Sequence, residues 1–400
     1  MNDKNLDSQK SKLKEMKKAP ELRFKGFSDD WEQRKFKDFS KKTGKKNSKD
    51  LDLPAYSVSN KSGLISQTEQ FDGSRLDSLE KTSYKFVEPN EFAYNPARIN
   101  VGSIAFNNLG MAVIVSSLYV VVKMSEDLDN GFILQFIKSP TFIKEVKRNT
   151  EGSVREYLFY ENFANIKFPF AKNKEEQQKI GIFFQQLDET IVLHQRKLEK
   201  LKQLKLAYLQ QLFPKSGGNI SKIRFAYFED VWEQRKSKEL CTISTGKGNT
   251  QDRVDDGTYP FYVRSATIEK SDEYLYDQEA VLTVGDGVGT GKVFHYVNGK
   301  YNLHQRVYRM YNFKEVSAKY FYYYFSKNFY KRVMSMTAKT SVDSVRMEMI
   351  ADMNIFFPSV KEQEKIVELF SNLDKTIALH QEKLNQLKTC KKALLQKIFN

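Results

Sequence analysis

The sequence feature that most constrains this chain is a helical pattern that occurs twice. The segment LDETIVLHQRKLEKLKQL at 187–204 returns as LDKTIALHQEKLNQLKTC at 373–390, with eleven of eighteen positions identical. Unrelated helices of this composition would share roughly one position in ten. An internal duplication is therefore predicted.

Both copies carry apolar residues at alternating spacings of three and four, which is typical of a coiled-coil seam. A His and then a Lys interrupt both copies at matching places, so the two helices share one seam pattern and could pack on each other. The paired positions of His194 and His380 suggest a buried, register-setting pair rather than catalysis. The predicted seam residues are Leu187, Ile191, His194, Leu198, Leu201, Leu373, Ile377, His380, Leu384 and Leu387.

A second repeat precedes each copy of the helix. RFKGFSDDWEQRK at 23–35 returns as RFAYFEDVWEQRK at 224–236, and WEQRK recurs after 201 residues whereas the helix recurs after 186. The material between them starts alike, with TGKKN and TGKGN, and then diverges. Each insert contains short β-branched and aromatic runs followed by helical stretches, which predicts two mixed α/β domains in a duplicated frame.

Length and composition place the chain among globular proteins of two or more domains, with 40% hydrophobic and 13% aromatic residues. No apolar run approaches the length of a membrane span, and Cys241 and Cys390 stand in no paired motif. We therefore expect a cytoplasmic protein without a metal site or a membrane segment. The net charge of +15 favours a polyanionic partner.

Two segments partly match known nucleotide-binding or catalytic motifs, but neither match is complete. The Gly-rich segment GDGVGTGK at 285–292 lacks the spacing of a phosphate loop and of a dinucleotide fingerprint, so it is interpreted as a turn between strands. Asn95-Pro96-Ala97-Arg98 begins like the tetrapeptide of amino-methyltransferases but lacks its second Pro and its aromatic residue, which favours an ordinary turn. The aromatic run at 320–325 could stack on bases, but its helical context favours a core position.

Basic residues near turns of the inserts are the best candidates for DNA contacts, because Arg reads guanine edges and Lys holds phosphates. Arg155 and Arg346 stand out, since each follows a Ser-Val segment ahead of a predicted closing strand, and a common role is expected. The full candidate set is Arg75, Lys81, Lys85, Arg98, Arg155, Lys247, Arg253, Arg264, Lys292, Arg306, Lys339 and Arg346.

The order of variable domain, long helix, variable domain and long helix resembles the specificity subunit of type I restriction-modification enzymes. The openings EQQKI at 176–180 and EQEKI at 362–366, with the downstream LD.TI.LHQ.KL pattern, are the motifs that carry the resemblance, which covers the chain from about residue 20.

The resemblance implies two target-recognition domains separated by two long helices that form an antiparallel coiled coil, in a pseudo-two-fold repeat. It implies double-stranded DNA as ligand and two methyltransferase subunits and further restriction subunits as partners. S-adenosylmethionine, ATP and Mg²⁺ would belong to those partners, and this chain would be neither an enzyme nor a cofactor carrier. Because the inserts differ, the DNA site should be asymmetric and bipartite.

The boundaries predicted from sequence follow this order. They are a disordered basic N-terminus at 1–19, a first target-recognition domain at 20–170, a first helix at 171–215, a hinge at 216–222, a second target-recognition domain at 223–359 and a second helix at 360–400. Two other functions remain open at this point. One is a coiled-coil adaptor that binds acidic or protein partners, and the other is a nucleotide-hydrolysing enzyme that uses the loop at 285–292.

Overall fold

The computed structural model describes residues 19–60, 63–70, 81–150, 157–214, 218, 220–287, 289–336 and 344–399. Almost all of the predicted N-terminal segment and much of the predicted hinge lie outside these ranges. Contacts divide the chain into two compact units, Met1–Gln195 with Glu382–Asn400 and Arg196–Gln381. This differs from the linear division predicted from sequence, because each long helix contributes residues to both units.

The first unit is a mixed α/β domain. Its two four-stranded sheets have the orders β2-β9-β6-β7 and β4-β3-β8-β5, in which only the β3 and β8 pair is parallel, and β1 pairs with β10. The strands are β1 (Glu32–Lys35), β2 (Ser40–Thr43), β3 (Ala55–Ser59), β4 (Gly63–Ser66), β5 (Lys85–Val87), β6 (Glu91–Tyr94), β7 (Ile104–Phe106), β8 (Val113–Val115), β9 (Val120–Met124) and β10 (Lys167–Phe170).

The second unit repeats these pairings with its own strands. Its sheets have the orders β12-β19-β16-β17 and β14-β13-β18-β15, with β13 and β18 parallel, and β11 pairs with β20. The strands are β11 (Glu233–Lys236), β12 (Thr242–Thr245), β13 (Tyr259–Tyr262), β14 (Ile268–Ser271), β15 (Tyr276–Asp277), β16 (Ala280–Val284), β17 (Phe294–Val297), β18 (Lys300–Leu303), β19 (Val307–Tyr311) and β20 (Asn354–Phe357). Both domains are therefore mixed α/β, as predicted, although their inserts share almost no sequence.

Each insert has helical stretches after its strands, as predicted. The stretch at 132–148 forms two helices, because Ser139 accepts a hydrogen bond from the Phe142 N–H as an N-cap and Pro140 begins the second helix. The helices are α1 (Gln67–Gln70), α2 (Asn130–Ile137), α3 (Pro140–Asn149), α4 (Tyr160–Asn165), α5 (Lys174–Leu212), α6 (Ser237–Leu240), α7 (Ala318–Ser335), α8 (Met347–Ala351) and α9 (Val360–Phe399).

The start of α5 is anchored by a buried glutamate. Glu176 is 0% exposed and accepts two hydrogen bonds from the Arg23 guanidinium, at 2.6 and 2.8 Å, and one from the Trp31 indole N–H at 3.0 Å. Gln177 beside it accepts from the Asp129 N–H at 2.7 Å. The repeated segment with Arg and Trp is thereby tied to the repeated Glu-Gln pair.

The start of α9 is also anchored by a buried glutamate. Glu362 is 1% exposed and binds the Arg224 guanidinium at 3.0 and 2.6 Å. Gln363 accepts from the Ser317 N–H at 3.0 Å and donates to the Pro358 carbonyl at 3.0 Å. A charged side chain this deeply buried requires an oppositely charged partner. The need for this pairing explains why both the Arg and the Glu occur in both copies of the repeat.

Within each unit, the beginning of one long helix packs against the end of the other. In the first unit Lys391 donates to Asp188 at 2.5 Å, and the last turns of α9 share a buried cluster with Phe184. In the second unit Lys205 donates to Asp374 at 2.5 Å, and Phe213 stacks on Phe370 at 5.9 Å between ring centroids. Residue numbers rise in one helix as they fall in the other, so the packing in each unit is antiparallel.

The predicted seam residues lie on the less accessible side of these helices. Ile191, Leu198 and Leu384 are buried. The others are partly buried, which includes His194 and His380, predicted as a buried pair. The partly buried seam residues are Leu187, His194, Leu201, Leu373, Ile377, His380 and Leu387.

Candidate nucleic-acid interface

Four connecting segments of the second unit meet at one end of its sheets. Because β13 and β18 are parallel, the segments after them leave side by side, and the His304 N–H donates to the Tyr262 carbonyl at 3.0 Å. β16 is antiparallel to β19, and the Gly285 N–H donates to the Arg306 carbonyl at 2.8 Å. The segment after β12 joins them through a bridge between Gly248 and His304.

Glycine is required where these segments approach the strands. A Cβ on Gly246 would lie 2.2 Å from the Leu303 carbonyl oxygen, and a Cβ on Gly285 would lie 2.7 Å from the Arg306 carbonyl oxygen. Gly44 in the first unit has φ +82° and would place a Cβ 2.8 Å from Val121. The repeated Thr-Gly-Lys segment therefore serves a close passage of the loop against the sheet.

A carboxylate stands between two arginines at this edge. Asp286 Oδ1 lies 3.7 Å from Arg264 Nη1, and Asp286 Oδ2 lies 3.7 Å from Arg306 Nε. The arginine side chains are 51% and 65% exposed, whereas that of Asp286 is 27% exposed. Two solvent-facing guanidiniums are thus held near one another by a recessed acid.

The buried imidazole of His304 supports the arginine-bearing segment. Its Nδ1 accepts the Arg306 N–H at 3.0 Å, and its Nε2 lies 3.4 Å from Thr250 Oγ1. Burial, followed by the positive charge of Arg264, lowers the pKa of His304 below its ordinary value. The ring is therefore neutral at pH 7 and can remain the acceptor for the Arg306 N–H.

Exposed amides stand in the same cluster of segments. Gln305 Nε2 donates to Asn249 Oδ1 at 3.0 Å, and both residues are exposed, as is Lys247. Asn and Gln pair with adenine edges, and Lys contacts phosphates. The edge thus carries side-chain types that read bases and hold the backbone.

The Gly-rich loop at 285–292 connects β16 to its antiparallel neighbour β17, as predicted for a turn between strands. In its described part, the Thr290 hydroxyl is turned inward and donates to the Gly287 carbonyl at 2.6 Å. A phosphate loop leads into a helix N-terminus, and here a strand follows. This arrangement does not support the nucleotide-hydrolysing alternative.

The equivalent connection in the first unit is the segment 95–103, between β6 and β7. The Asn95 side chain accepts from the Ala97 N–H at 3.0 Å, and the Arg98 N–H donates to the Asn95 carbonyl at 3.0 Å. These bonds form the ordinary turn that was predicted. The two motifs singled out from sequence therefore occupy the same place in the two domains.

The first unit carries lysines near the equivalent edge of its own sheets. Lys85 is partly buried and donates to the Tyr119 carbonyl at 2.7 Å. Burial and the positive charges of Lys42 and Lys46 lower its pKa. Mutual repulsion among lysines favours an anionic ligand, so this cluster is suited to phosphate.

The other predicted DNA-contact residues lie in varied settings. Lys81 is partly buried with its ammonium 3.9 Å from Asp52, and Arg253 pairs with Asp255 at 2.9 Å and with Glu269 at 3.1 Å. Lys292 is exposed and stacks over the Tyr330 ring at 4.8 Å. Arg75, Arg155 and Lys339 lie outside the described residues.

The expected common role of Arg155 and Arg346 stays a prediction, because Arg155 lies outside the described residues. Arg346 is exposed and directly precedes α8. The residue before it, Val345, donates its N–H to the Gly285 carbonyl at 2.7 Å. Arg346 is therefore placed next to the Gly-rich loop.

The aromatic run at 320–325 belongs to the core, as predicted. Tyr320, Phe321 and Phe325 are 0% exposed on α7. In the part of the chain that the structure describes, no group of three or more His, Cys, Asp or Glu residues could hold a metal ion. No described helix is both long and apolar enough to cross a membrane.

Sequence reasoning missed Asp286, Asn249 and Gln305 at this edge. Asp286 was set aside with the Gly-rich loop, and the two amides are not basic. Each of them closely follows a strand, which was a usable signal. Asn249 and Asp286 meet at one edge because β12 and β16 both run antiparallel to β19, which lies between them, and therefore end on the same side. The buried Arg23 and Glu176 pair was also missed, although both lie in repeated segments.

Comparison with known proteins agrees with this architecture. The family described as type I restriction modification DNA specificity domain matches residues 28–203 and, a second time, residues 229–389. These matches cover more than half of the sequence, so the chain belongs to this family. Membership agrees with a role in DNA specificity, and it does not favour the adaptor alternative.

Curated relatives are specificity subunits. The chain is 25% identical over 169 residues to the type I restriction enzyme EcoDI specificity subunit of Escherichia coli, a match covering 42% of this chain and 37% of that subunit. It is 21% identical over 325 residues to the MjaVIII specificity subunit of Methanocaldococcus jannaschii, covering 74% and 75%. The first match therefore spans well under half the length of that relative.

Solved structures show the same fold. The S subunit of a type I restriction-modification system from M. genitalium is similar with a TM-score of 0.69 at 14% identity, covering 96% of this chain and 99% of that one. A chain from a structure on complex assembly and conformational transition of the type I system has a TM-score of 0.51 at 13% identity, covering 92% and 97%.

Proposed function

We propose that this chain is the DNA-recognition subunit of a type I restriction-modification complex and binds an asymmetric, bipartite duplex site. The observation that carries the proposal is one α/β fold used twice with different side chains at the same edge. Directly before β19 the second unit presents Gln305 and Arg306, whereas directly before the equivalent β9 the first presents Leu118 and Tyr119. Different side chains at equivalent positions read different bases, so the two half-sites differ.

The long helices supply the spacing between the half-sites in this proposal. A 39-residue helix spans about 58 Å at about 1.5 Å per residue, and its paired seam resists bending. Two methyltransferase subunits dock on the helices, and restriction subunits join through them. S-adenosylmethionine, ATP and Mg²⁺ act in those partners, in the cytoplasm, and the target adenine is flipped out of the duplex by the partner.

Filter binding to duplex DNA at two salt concentrations tests the proposal. If the chain neutralises about six to ten phosphates, the affinity should fall by about a thousand-fold or more between about 50 and 200 mM salt. One sequence should also compete better than bulk DNA. Because the proposal places methyltransferase subunits on the long helices, the measurement should include the chain copurified with those subunits.

Binding that is insensitive to salt, or that every duplex competes equally, would contradict sequence recognition. A preference for acidic proteins over DNA would instead support the adaptor function. A mutant of the first helix start, Glu176→Ala, is a poor control because it is expected to disturb folding, so Arg235→Ala is preferred. Arg235 is exposed in β11 and pairs only locally, with Glu233 at 3.0 Å.

A further inference from the structure

The edge of the second unit contains an arrangement that nonspecific binding does not require. Asp286 places one carboxylate oxygen toward each of two arginines, Arg264 and Arg306, at 3.7 Å in both cases. Its Oδ1 is buried and has no hydrogen-bond partner among the described residues. Asp286 therefore attracts both guanidiniums electrostatically without forming a short hydrogen bond to either of them.

Both guanidiniums stay accessible to a ligand. Nε of Arg306 and Nη1 of Arg264 lie 3.7 Å from the acid, which is longer than a hydrogen bond, and the two side chains are 65% and 51% exposed. Both backbone segments are fixed, because the Arg306 N–H is held by His304 Nδ1 at 3.0 Å, and the carbonyl of Tyr262, two residues before Arg264, accepts the His304 N–H at 3.0 Å. Two forked donors therefore start from restrained positions and share one counter-charge.

The negative charge of Asp286 makes a neutral base edge a better ligand for these arginines than a phosphate. A phosphate carries negative charge and would be repelled by Asp286, whereas a guanine edge is neutral and offers two acceptors, O6 and N7. Phosphate contacts are better served by lysines without a recessed acid, as around Lys85 in the first unit.

We propose that Arg264 and Arg306, held in position by Asp286, read guanine edges in the half-site that the second domain contacts. The inference rests on the proposed DNA-recognition function. Arg264 and Arg306 are the base-reading residues, and Asp286 is a positioning residue that acts through them. Both arginines reach the major groove from the ends of neighbouring strands, so the guanines lie on adjacent or nearly adjacent base pairs.

At the described positions equivalent to Asp286 and Arg306, the first domain has other residue types. The second residue after β16 is Asp286, and the second residue after the equivalent β6 is Pro96. The residue just before β19 is Arg306, and the residue just before the equivalent β9 is Tyr119. The guanine requirement assigned to Arg264 and Arg306 should therefore be confined to one half-site.

Selection from random duplex DNA followed by sequencing tests this inference with the full-length chain. The variants are Arg264→Ala, Arg306→Ala and Asp286→Asn, with Arg235→Ala as the matched control for loss of one exposed arginine. The wild type should select an interrupted site with guanines in one half. Each arginine variant should lose about 10- to 100-fold of the discrimination for one guanine, and the other half-site should be unchanged.

Asp286→Asn gives a readout that a purely structural role would not. It removes a negative charge, so binding to unselected DNA should become tighter while preference for the guanines falls. The control variant should keep the full selected sequence.

Two results would overturn the inference and separate it from the proposed function. If the wild type selects an interrupted site but both arginine variants weaken every sequence equally, these residues contact phosphates, and only this inference is wrong. An unchanged selected sequence in Arg306→Ala has the same meaning. If the wild type selects no sequence at all, DNA recognition itself is refuted.

Discussion

Glu176 and Glu362 perform the same task with different neighbours. Each is buried at the start of a long helix and pairs with one arginine, but Trp31 donates to Glu176, whereas the buried Trp232 indole N–H has no partner among the described residues. Both rings lie in aromatic clusters of similar geometry. The two copies therefore share the ion pair and differ by one hydrogen bond among the described residues.

This difference predicts unequal effects of the same substitution. Trp31→Phe should destabilise its unit by about 2 kcal/mol more than Trp232→Phe destabilises the other, because only the first removes a bond to a charged acceptor. Calorimetry of the two variants would measure the shift of each unfolding transition. Equal shifts would show that the Trp31 bond contributes nothing beyond ring packing.

His304 makes the second edge sensitive to acid. Its pKa is lowered by burial and by Arg264 and Arg306, so the unfolded chain takes up a proton more readily than the folded chain does. The stability that the neutral ring contributes is present above its ordinary pKa of 6.5 and is lost as the pH falls through its lower folded pKa.

His304→Asn should reduce this acid sensitivity. Asn can still accept the Arg306 N–H through its side-chain oxygen, and it has no proton to gain. Thermal denaturation at about pH 7.5 and about pH 5 should therefore show a smaller loss of stability in the variant. His295, whose pKa is also lowered by burial, keeps its own share of the effect in both proteins. An unchanged pH dependence would contradict the assignment to His304.

At the scale of elements, each long helix ends in a hydrophobic core made of residues distant in sequence. Phe399 is 2% exposed and contacts Trp31, Phe132 and Phe136, with ring centroids 6.4, 5.3 and 5.7 Å apart. Phe213 is 1% exposed at the end of α5 and packs in the core of the second unit. The last turn of α9 thus contributes to a domain that it does not adjoin in sequence, whereas the end of α5 contributes to the domain that follows it.

Truncating these two rings should therefore affect different domains. Phe399→Ala should destabilise the first unit, and Phe213→Ala the second, each by about 3–5 kcal/mol through loss of buried surface and formation of a cavity. Amide hydrogen exchange would locate the effect, with faster exchange in β6 and β9 for the first variant and in β16 and β19 for the second. Faster exchange in the opposite sheets would contradict the assignment.

At the scale of the whole molecule, the proposed function makes the long helices a spacer. Inserting about one heptad at equivalent points, after Gln195 and after Gln381, should lengthen the tolerated DNA spacer by about three base pairs, or about 10 Å. Site selection from random DNA would measure the spacer. Changed half-site bases with the old spacer would refute this role of the helices.

Exchange of residues 43–165 for another insert tests the modular reading of DNA. Because the segment lies within one duplicated frame, only one half-site should change, and the other half-site and the spacer should stay the same. The half-site that survives should contain the guanines assigned to Arg264 and Arg306. A change in both half-sites would contradict independent domains.

The amino-acid sequence by itself determined the repeated frame, the two α/β inserts and the long helices. These features follow from local patterns, since the apolar spacing of three and four residues and the β-branched runs specify elements without knowledge of distant contacts. The resemblance carried by the Glu-Gln helix openings also led to the family. The turns at Asn95 to Arg98 and in the Gly-rich loop could be predicted, because Gly, Asn and Pro determine the conformation of their own backbone locally.

Only the tertiary structure decided which side chains meet. It placed Asp286 between Arg264 and Arg306, which come from segments after different strands. It also divided the chain through both long helices, because their last turns pack with residues far away in sequence. A single sequence lists the charges along the chain, but strand pairing sets the distances between them, and electrostatic interactions depend on those distances.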